Sequence, residues 1–343
     1  MKVAIIGGSG FVGTQLTKNL QQTQRFELLN IDKQQSRTFP AITRIADVLD
    51  KAALYCLLKD IDVVILLAAE HRDDVSPASL YYDVNVQGMK NTLEAMEANG
   101  VKRIVFTSSV AVYGLNRVNP NEETSIAPFN HYGQSKWEAE QVLQSWHAQR
   151  PDWNINIIRP TVIFGENNRG NVYNLLKQIA SGRFLMIGNG NNKKSMSYVG
   201  NIVAFIEFLI TERTSGYEVY NYVDTPDFTT KDLVAQTSKV LGKRIPMIRI
   251  PYALGMLAGH GFTLLARMLR KKLPISAVRV KKFCAVTQYD ASKAMKTGFV
   301  KPYTIEEGLR RTLLTEFGAI GHKQVSPAER NRTLVAEYSG LNT

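Results

Sequence analysis

The feature that most constrains this 343-residue chain is the glycine-rich segment Gly7-Gly8-Ser9-Gly10-Phe11-Val12-Gly13. It directly follows an apolar run at residues 3–6, which predicts a buried strand, and it opens a segment with helical spacing. Glycines at such a turn allow a tight bend, a close approach of the backbone to a pyrophosphate, and close packing of helix against strand. The segment therefore predicts a strand–turn–helix unit that binds a dinucleotide.

The first half of the chain alternates between short strand-like segments and longer helix-like ones. Further strands are predicted at 27–31, 42–46, 62–67, 103–107 and 154–158, and helices at 11–20, 76–99 and 132–147. Strands that are apolar almost throughout and separated by helices indicate a parallel sheet covered on both faces. The predicted fold class is α/β, a Rossmann-type doubly wound parallel sheet. We assign it to residues 1–165 with a return around 196–225, followed by a smaller C-terminal substrate-binding part over 166–317 and a polar tail over 318–343.

An acidic residue ends the second predicted strand. Asp32 lies 19 residues beyond Gly13, where a carboxylate can hold the ribose hydroxyls of a dinucleotide. The same carboxylate would repel the additional phosphate of NADP. We therefore predict that the cofactor is NAD and that its site includes Gly7, Gly10, Phe11, Val12, Gly13 and Asp32.

A tyrosine and a lysine with the spacing of one helix face occur at Tyr132 and Lys136. An ammonium group near a phenol favours the phenolate, so such a pair can act as a base near neutral pH. The spacing alone is weak evidence, because it begins at four positions, Tyr55, Tyr132, Tyr173 and Tyr289. Tyr132 is distinguished because it follows the strand 103–107, whose carboxyl end delivers Ser108 and Ser109. Ligands bind at that end of parallel strands, so a serine hydroxyl there can meet the phenol.

An ordered series of short motifs runs from residue 1 to about residue 170. The motifs are Gly7-x-x-Gly10-x-x-Gly13, Asp47-Val48, Leu67-Ala68-Ala69, Asn85-Val86-x-Gly88, Ser108-Ser109-x-x-Val112-Tyr113-Gly114, Tyr132-x-x-x-Lys136 and Arg159-Pro160. The series resembles that of the extended short-chain dehydrogenases/reductases, which include sugar epimerases and dehydratases. The resemblance implies that Ser109, Tyr132 and Lys136 are catalytic, and that Lys136 also binds the cofactor ribose. It further implies cofactor contacts for Asp47 and Val48 at the adenine, for Leu67, Ala68 and Ala69, and for Asn85 beneath the site.

Positive charge is concentrated in one stretch of the chain. The net charge is +12, and residues 233–289 contain eleven Lys and Arg residues but no Asp or Glu. These cations flank an apolar segment, and cations beside an apolar helical face are typical of a helix lying in an anionic membrane surface. The uncharged run from 250 to 266 is shorter than the roughly 20 residues that a spanning helix needs. We therefore predict a membrane-surface segment at 250–282, and we predict no nucleic-acid partner because no recognition motif accompanies the charge.

A closer resemblance covers nearly the whole chain. Residues 66–88, 159–177, 194–202 and 278–285 resemble bacterial 4-epimerases that act on N-acetylhexosamines linked to a polyprenyl diphosphate. The resemblance implies reversible conversion of GlcNAc to GalNAc on undecaprenyl diphosphate, for O-antigen and lipopolysaccharide biosynthesis. It also implies a peripheral location on the cytoplasmic face of the bacterial inner membrane.

Cys56 and Cys284 lack metal-ligand or redox spacing, so we predict no metal site and a reduced compartment.

Substrate contacts are predicted at two sets of polar residues. Arg169, Asn171 and Lys194 are candidates for the diphosphate, because cations and amides suit phosphate oxygens. Glu70, His71 and Arg72 follow the fourth predicted strand and, with Ser108, are candidates for the sugar.

Three other functions remain open on the sequence. A 4,6-dehydratase or a sugar 4-reductase would share the fold, but Val110 and Ala111 stand where the resembling dehydratases carry Asp-Glu. A soluble 4-epimerase of UDP-GlcNAc or UDP-Glc would share every catalytic motif. Only the basic apolar segment argues against it, because a soluble substrate gives that segment no role. A non-catalytic NAD-binding sensor at a membrane has no use for Ser109, Tyr132 and Lys136 in register. A homodimer is also left open.

Overall fold

A computed structural model of the chain describes residues 1–72, 75–115, 117–212, 216–268 and 284–318. Within these ranges, seven strands form one sheet in which every pairing is parallel. In spatial order they are β10 (Tyr217–Tyr222), β6 (Asn154–Pro160), β5 (Arg103–Thr107), β4 (Val63–Leu66), β1 (Lys2–Ile6), β2 (Glu27–Asp32) and β3 (Thr43–Ile45). The predicted doubly wound parallel α/β fold is confirmed.

Along the chain, helices lie between the strands of this sheet. They are α1 (Phe11–Gln22), α2 (Lys51–Leu57), α3 (Ser79–Tyr82), α4 (Gly88–Ala98), α5 (His131–Gln149) and α7 (Val199–Thr211), with 3-10 turns at Pro40–Ile42 and Val110–Tyr113. The two central strands β1 and β4 are buried almost completely. Burial on both faces explains why their sequences are continuously apolar rather than alternating.

The long helix predicted over 76–99 is interrupted in the structure. A π-helical turn, Asp83–Gln87, separates α3 from α4. The physical reason is a tertiary contact, since the buried Asn85 side chain in this turn hydrogen-bonds to both backbone groups of Glu70. Such π turns often occur at functional sites.

The chain divides into two compact units. The first contains residues 1–164, 193–227 and 285–305, and the second contains 165–192, 228–284 and 306–343. Part of the second unit, 269–283 and 319–343, lies outside the described residues, and most of the predicted tail falls there. Residues 285–305, which the sequence analysis places in the second part, belong to the first unit. They do so because Phe299 packs against Phe205 and Tyr222, with ring centroids 5.1 Å and 6.4 Å away.

Smaller elements complete each unit. The first unit also holds β7 (Val162–Phe164), β9 (Lys193–Tyr198) and most of β11 (Asp224–Thr229), which form a three-stranded sheet, and α10 (Ser292–Met295). The described part of the second unit contains α6 (Asn171–Ala180), α8 (Thr230–Val240), α9 (Tyr252–Met268), the strand pair β8 (Leu185–Ile187) and β12 (Ile248–Ile250), and all but the first residue of α11 (Ile305–Phe317).

The packing of Phe299 gives a stability prediction for residues 285–305. We expect Phe299→Ala to lower the free energy of unfolding by about 3 kcal/mol, because it removes a buried aromatic ring and leaves a cavity. Val300→Ala is the matched control, since the neighbouring Val300 is 84% exposed, and it should change stability by less than about 0.5 kcal/mol. Urea denaturation measures both. Equal effects of the two substitutions would show that Phe299 does not join 285–305 to the core of the first unit.

Candidate active site

The glycine-rich turn is held against the neighbouring strands by its backbone. The Gly7 N–H donates to the carbonyl of Ile31 at 2.8 Å, and Gly7 has a φ of +88°. A Cβ on Gly7 would lie 2.4 Å from the backbone nitrogen of Ala68, and one on Gly13 would lie 2.4 Å from the Cα of Gly8. Both glycines are therefore required by the fold itself.

The amino end of α1 is open to a ligand. Its N-cap is Gly10, which offers no side chain to the free N–H groups of the first turn. That turn reads Phe11-Val12-Gly13-Thr14, without an acidic side chain. A Cβ on Gly10 would meet only the Gly7 carbonyl, at 3.4 Å, so glycine here is not needed for packing. Free N–H groups at a helix start attract an anion, and the bare Gly10 leaves room for a pyrophosphate to approach.

Asp32 lies beside this turn, as predicted from the sequence. Its carboxylate accepts hydrogen bonds from the N–H groups of Ser9 at 3.0 Å and Gln34 at 2.9 Å. These bonds fix the carboxylate at the carboxyl end of β2, where it can receive two ribose hydroxyls.

The other predicted cofactor residues follow neighbouring strands. The N–H groups of Leu67 and Ala68 both donate to the carbonyl of Ile6, at 2.8 Å and 2.9 Å, and Ala69 comes next along the chain. Asp47 caps a turn by accepting from the Leu49 N–H at 3.0 Å. Val48 is buried against Gly88, where a Cβ would lie 2.7 Å from a Val48 methyl group. This contact explains why the asparagine motif ends in glycine.

Ser109 and Tyr132 are placed by a close contact between two turns. Ser109 caps the 3-10 turn Val110–Tyr113, its Oγ accepting from the Ala111 N–H at 3.1 Å. A Cβ on Gly133 would lie 2.6 Å from the Ala111 carbonyl oxygen, so glycine lets this turn reach the first turn of α5. Asn130 fixes the start of α5 by accepting from the Gly133 N–H at 2.8 Å.

Lys136 lies one helical turn beyond Tyr132 and is buried. Its Nζ donates to the carbonyl of Thr107 at 2.9 Å and lies 4.7 Å from the Phe106 ring centroid. Burial lowers the pKa of Lys136 to about 7, although the Glu140 carboxylate acts in the opposite direction. The structure thus places Ser109 and the Lys136 Nζ at the carboxyl end of β5, and Tyr132 in the first turn of α5, which the Ser109 turn approaches. A phenol, an ammonium and a hydroxyl in this arrangement are suited to moving a proton on and off an alcohol.

Asn85 connects two sides of the candidate site. Its Oδ1 accepts from the Glu70 N–H at 2.9 Å, and its Nδ2 donates to the Glu70 carbonyl at 3.0 Å and to the Ser135 Oγ at 2.9 Å. The side chain therefore ties the end of β4 to α5 beneath Tyr132. A supporting role of Asn85 beneath the cofactor site stays a prediction.

The segment Glu70-His71-Arg72 is held by an internal ion pair. The Glu70 carboxylate accepts from Arg72 Nε at 3.0 Å and Nη2 at 2.8 Å. The hydrogen bond from the Arg72 side chain lowers the pKa of Glu70 to about 2, so Glu70 stays ionised and anchors the loop. His71 is exposed beside it and stays a predicted sugar contact.

A buried charge cluster was not identified from the sequence. The Ser108 side chain is buried, and its hydroxyl donates a hydrogen bond to the Glu140 carboxylate. This placement differs from the predicted sugar contact. Glu140 also pairs with Arg159. The signal that could have identified Glu140 is its spacing, because it continues the i, i+4 series from Tyr132 and Lys136 along one face of α5.

Two of the three predicted diphosphate residues, Arg169 and Lys194, have other contacts in the structure. In the second unit, Arg169 pairs with Glu316 at 2.5 Å and lies over the Tyr173 ring, and Asn171 is exposed at the first residue of α6. In the first unit, the Lys194 Nζ donates to the carbonyl of Ala285 at 2.5 Å. Their role toward a diphosphate stays a prediction.

Comparison with known proteins bears on the whole chain. The model of the NAD dependent epimerase/dehydratase family matches residues 3–222. An N-acetyl-alpha-D-glucosaminyl-diphospho-ditrans,octacis-undecaprenol 4-epimerase of Escherichia coli O157:H7 is 59% identical over 92% of this chain and 95% of its own. A UDP-glucose 4-epimerase of Vibrio cholerae is 28% identical over 90% and 94%. The crystal structure of UDP-glucuronic acid 4-epimerase from Bacillus cereus in complex with NAD has a TM-score of 0.73 at 20% identity, covering 92% of this chain and 98% of that one.

The glycine turn gives a prediction that separates folding from cofactor binding. We expect Gly7→Ala to lower the free energy of unfolding by at least about 2 kcal/mol, because its Cβ would strike backbone atoms at positive φ. Gly10→Ala should lose less than about 1 kcal/mol but should weaken NAD binding at least tenfold by occupying the pyrophosphate approach. Thermal melting of the NAD-free protein and isothermal calorimetry with NAD measure the two effects. Wild-type NAD affinity in Gly10→Ala would contradict the assigned pyrophosphate site.

Proposed function

The chain belongs to the NAD dependent epimerase/dehydratase family, and we propose that it catalyses the reversible 4-epimerisation of GlcNAc to GalNAc on undecaprenyl diphosphate. The observation that carries this proposal is the near full-length similarity to the E. coli enzyme named for that lipid-linked sugar. We propose further that the product serves the assembly of O-antigen or another polysaccharide. The chain is also similar, at lower identity, to a UDP-glucose 4-epimerase, and this similarity supports the same reaction at carbon 4.

The cofactor is NAD, as the family description states. The residues present fit it, because Gly10 leaves the start of α1 bare and Asp32 is held beside that start by two backbone N–H groups. When bound, NAD would supply the acceptor and donor of the hydride at carbon 4 of the sugar. The adenine end would be held by Asp47 and Val48, and the nicotinamide ribose by Tyr132 and Lys136.

The catalytic steps assigned to this chain concern one proton. Tyr132 removes the proton of the sugar 4-hydroxyl, and the Ser109 hydroxyl bonds the same oxygen. Lys136 supports the phenolate through its positive charge. The same three groups return the proton after the sugar has turned over, so they must bind the oxygen without fixing the ring.

Dehydration is disfavoured by the residues after Ser109. A dehydratase needs an acid and a base there to eliminate water. In this chain the position is occupied by Val110, which is buried, and by Ala111, whose backbone binds the serine. The 3-10 turn therefore serves to place Ser109 and brings no further acid to the sugar.

We also propose that α9 contacts an anionic membrane surface. Four apolar side chains of this helix, Tyr252, Leu254, Leu257 and Phe262, are 46%, 57%, 69% and 38% exposed. Arg244 and Arg249, shortly before the helix, are exposed as well. Exposed apolar side chains beside cations favour an anionic lipid surface. The cations at 270–282 lie outside the described residues, and within the described ones we find no helix that is long and apolar enough to span a bilayer.

The substrate is tested by a side-by-side epimerisation assay with purified protein. One arm contains GlcNAc-diphospho-undecaprenol in detergent, and the other contains UDP-GlcNAc. We expect turnover of the lipid-linked sugar, and at least a ~10³-fold loss of rate in Tyr132→Phe. Turnover of the UDP-sugar alone would replace the proposed substrate by the soluble one, and activity surviving in Tyr132→Phe would remove its catalytic role.

The membrane surface is tested by sedimentation with vesicles. We expect the wild-type protein to bind vesicles containing phosphatidylglycerol, and Leu254→Asp/Leu257→Asp to bind at least tenfold more weakly, because two exposed apolar contacts are lost. Val118→Asp/Val300→Asp is the control, since both valines are exposed in the first unit, and it should bind like the wild type. Equal binding of both double variants would show that α9 is not the contact surface.

A further inference from the structure

A fully buried ion pair lies directly beneath the candidate active site. Glu140 and Arg159 have side chains 1% and 4% exposed. The Glu140 carboxylate accepts from Arg159 Nε at 3.0 Å and 3.2 Å and from Nη2 at 2.5 Å, and it accepts a further hydrogen bond from the Ser108 hydroxyl. Every oxygen of the carboxylate is therefore occupied, and its charge is held in one orientation.

The arginine is fixed on its other side. Its Nη1 donates to the Tyr113 hydroxyl at 2.7 Å, and that hydroxyl donates to the Asn221 Oδ1 at 2.8 Å. Asn221 in turn donates to the carbonyls of Pro120 and Asp290. Arg159 thus cannot move away from Glu140 without breaking a network that reaches the edge of the sheet.

Fold stability does not account for such a pair. Taking two charges out of water costs about as much as their attraction returns, and apolar side chains of similar volume often stabilise a fold at least as well. Glu140 lies one helical turn beyond Lys136 on α5, so besides pairing with Arg159 its charge acts on that buried amine.

We propose that Glu140 is a positioning residue that keeps the buried Lys136 side chain protonated, and that Arg159 limits how strongly it does so. This inference rests on the proposed function, in which Lys136 must carry a charge to support the Tyr132 phenolate. Burial lowers the pKa of Lys136 to about 7 and Glu140 opposes this shift, so the carboxylate decides the charge of the lysine near neutral pH.

The other groups around the pair come from four elements. Tyr132 and Lys136 share α5 with Glu140, Arg159 comes from β6, Tyr113 from the 3-10 turn, and Tyr217 from β10. Burial, and after it the Glu140 charge, raises the pKa of Tyr217. Burial also raises the pKa of Tyr113, so Tyr113 and Tyr217 are neutral at the pH where the lysine titrates. Among these elements the charge that acts on Lys136 is that of Glu140, and Arg159 is paired with that carboxylate.

The test follows the titration of Lys136 itself. Protein labelled with carbon-13 at the lysine Cε atoms is titrated by NMR without NAD, and the Lys136 signal is assigned by its absence in Lys136→Met. We expect Glu140→Gln to lower the titration midpoint by about one pH unit, and Arg159→Gln to raise it by a similar amount. Ser108→Ala removes a hydrogen bond but no charge, so it should shift the midpoint by no more than about 0.3 pH units.

A double variant protects the test against loss of folding. Glu140→Met/Arg159→Met leaves no unpaired charge and should fold. Because Glu140 acts directly on Lys136 while Arg159 is paired with Glu140, the midpoint should fall below that of the wild type, but less than in Glu140→Gln. Unchanged midpoints in the folded variants, or shifts of the two single variants in the same direction, would overturn the proposal.

The pH dependence of epimerisation supplies the second readout. The alkaline limb of the rate profile should move in the same order as the NMR midpoints, because activity is lost when Lys136 loses its proton. If no variant and no wild-type protein epimerises either sugar, the proposed function fails, while the NMR midpoints still decide the role of Glu140.

Discussion

The contact on which the site depends is the one between the Gly7 turn and the backbone of the neighbouring strand end. The turn hydrogen-bonds to Ile31 and leaves no space for a side chain beside Ala68. It therefore brings the carboxyl ends of β1, β2 and β4 to one edge, as parallel strands require for ligand binding. Asp32 and the open start of α1 occupy that edge because of this contact, and they form the candidate NAD site.

The chemistry is then attached to the same edge by a second close approach. Gly133 lets the Ser109 turn meet the first turn of α5, while Asn85 joins the end of β4 to Ser135 on that helix. The three candidate catalytic side chains are therefore set by contacts of backbone and buried amide groups rather than by flexible surface residues. Such rigid support is what a site needs when the reacting proton must be removed and returned at one place.

What the sequence predicts well is local. The glycine turn, Asp32 and the Tyr132–Lys136 pair each lie within one strand–turn–helix unit, so their spacing already encodes their geometry. The break of the long helix at Asp83–Gln87 was not predicted, because it depends on Glu70, fifteen residues away. The burial of Ser108 and the pairing of Glu140 with Arg159 depend on which strand lies beside β5. The assignment of 285–305 to the first unit depends on Phe299, whose aromatic partners are distant in sequence.

The reaction itself explains why the residues that bind the substrate are harder to identify than the catalytic residues. A ketone that is reduced from both faces must turn over within the site. Tyr132 and Ser109 can bind its oxygen in both orientations, but the protein cannot bind the rest of the ring tightly in both. Affinity must then come from parts of the substrate that do not turn, the diphosphate and the carrier lipid. A polyprenyl chain lies in the membrane, so under the proposed function the protein reaches the bilayer rather than enclosing the lipid. An exposed apolar helix preceded by cations meets that requirement, whereas a soluble nucleotide sugar would give such a surface no use.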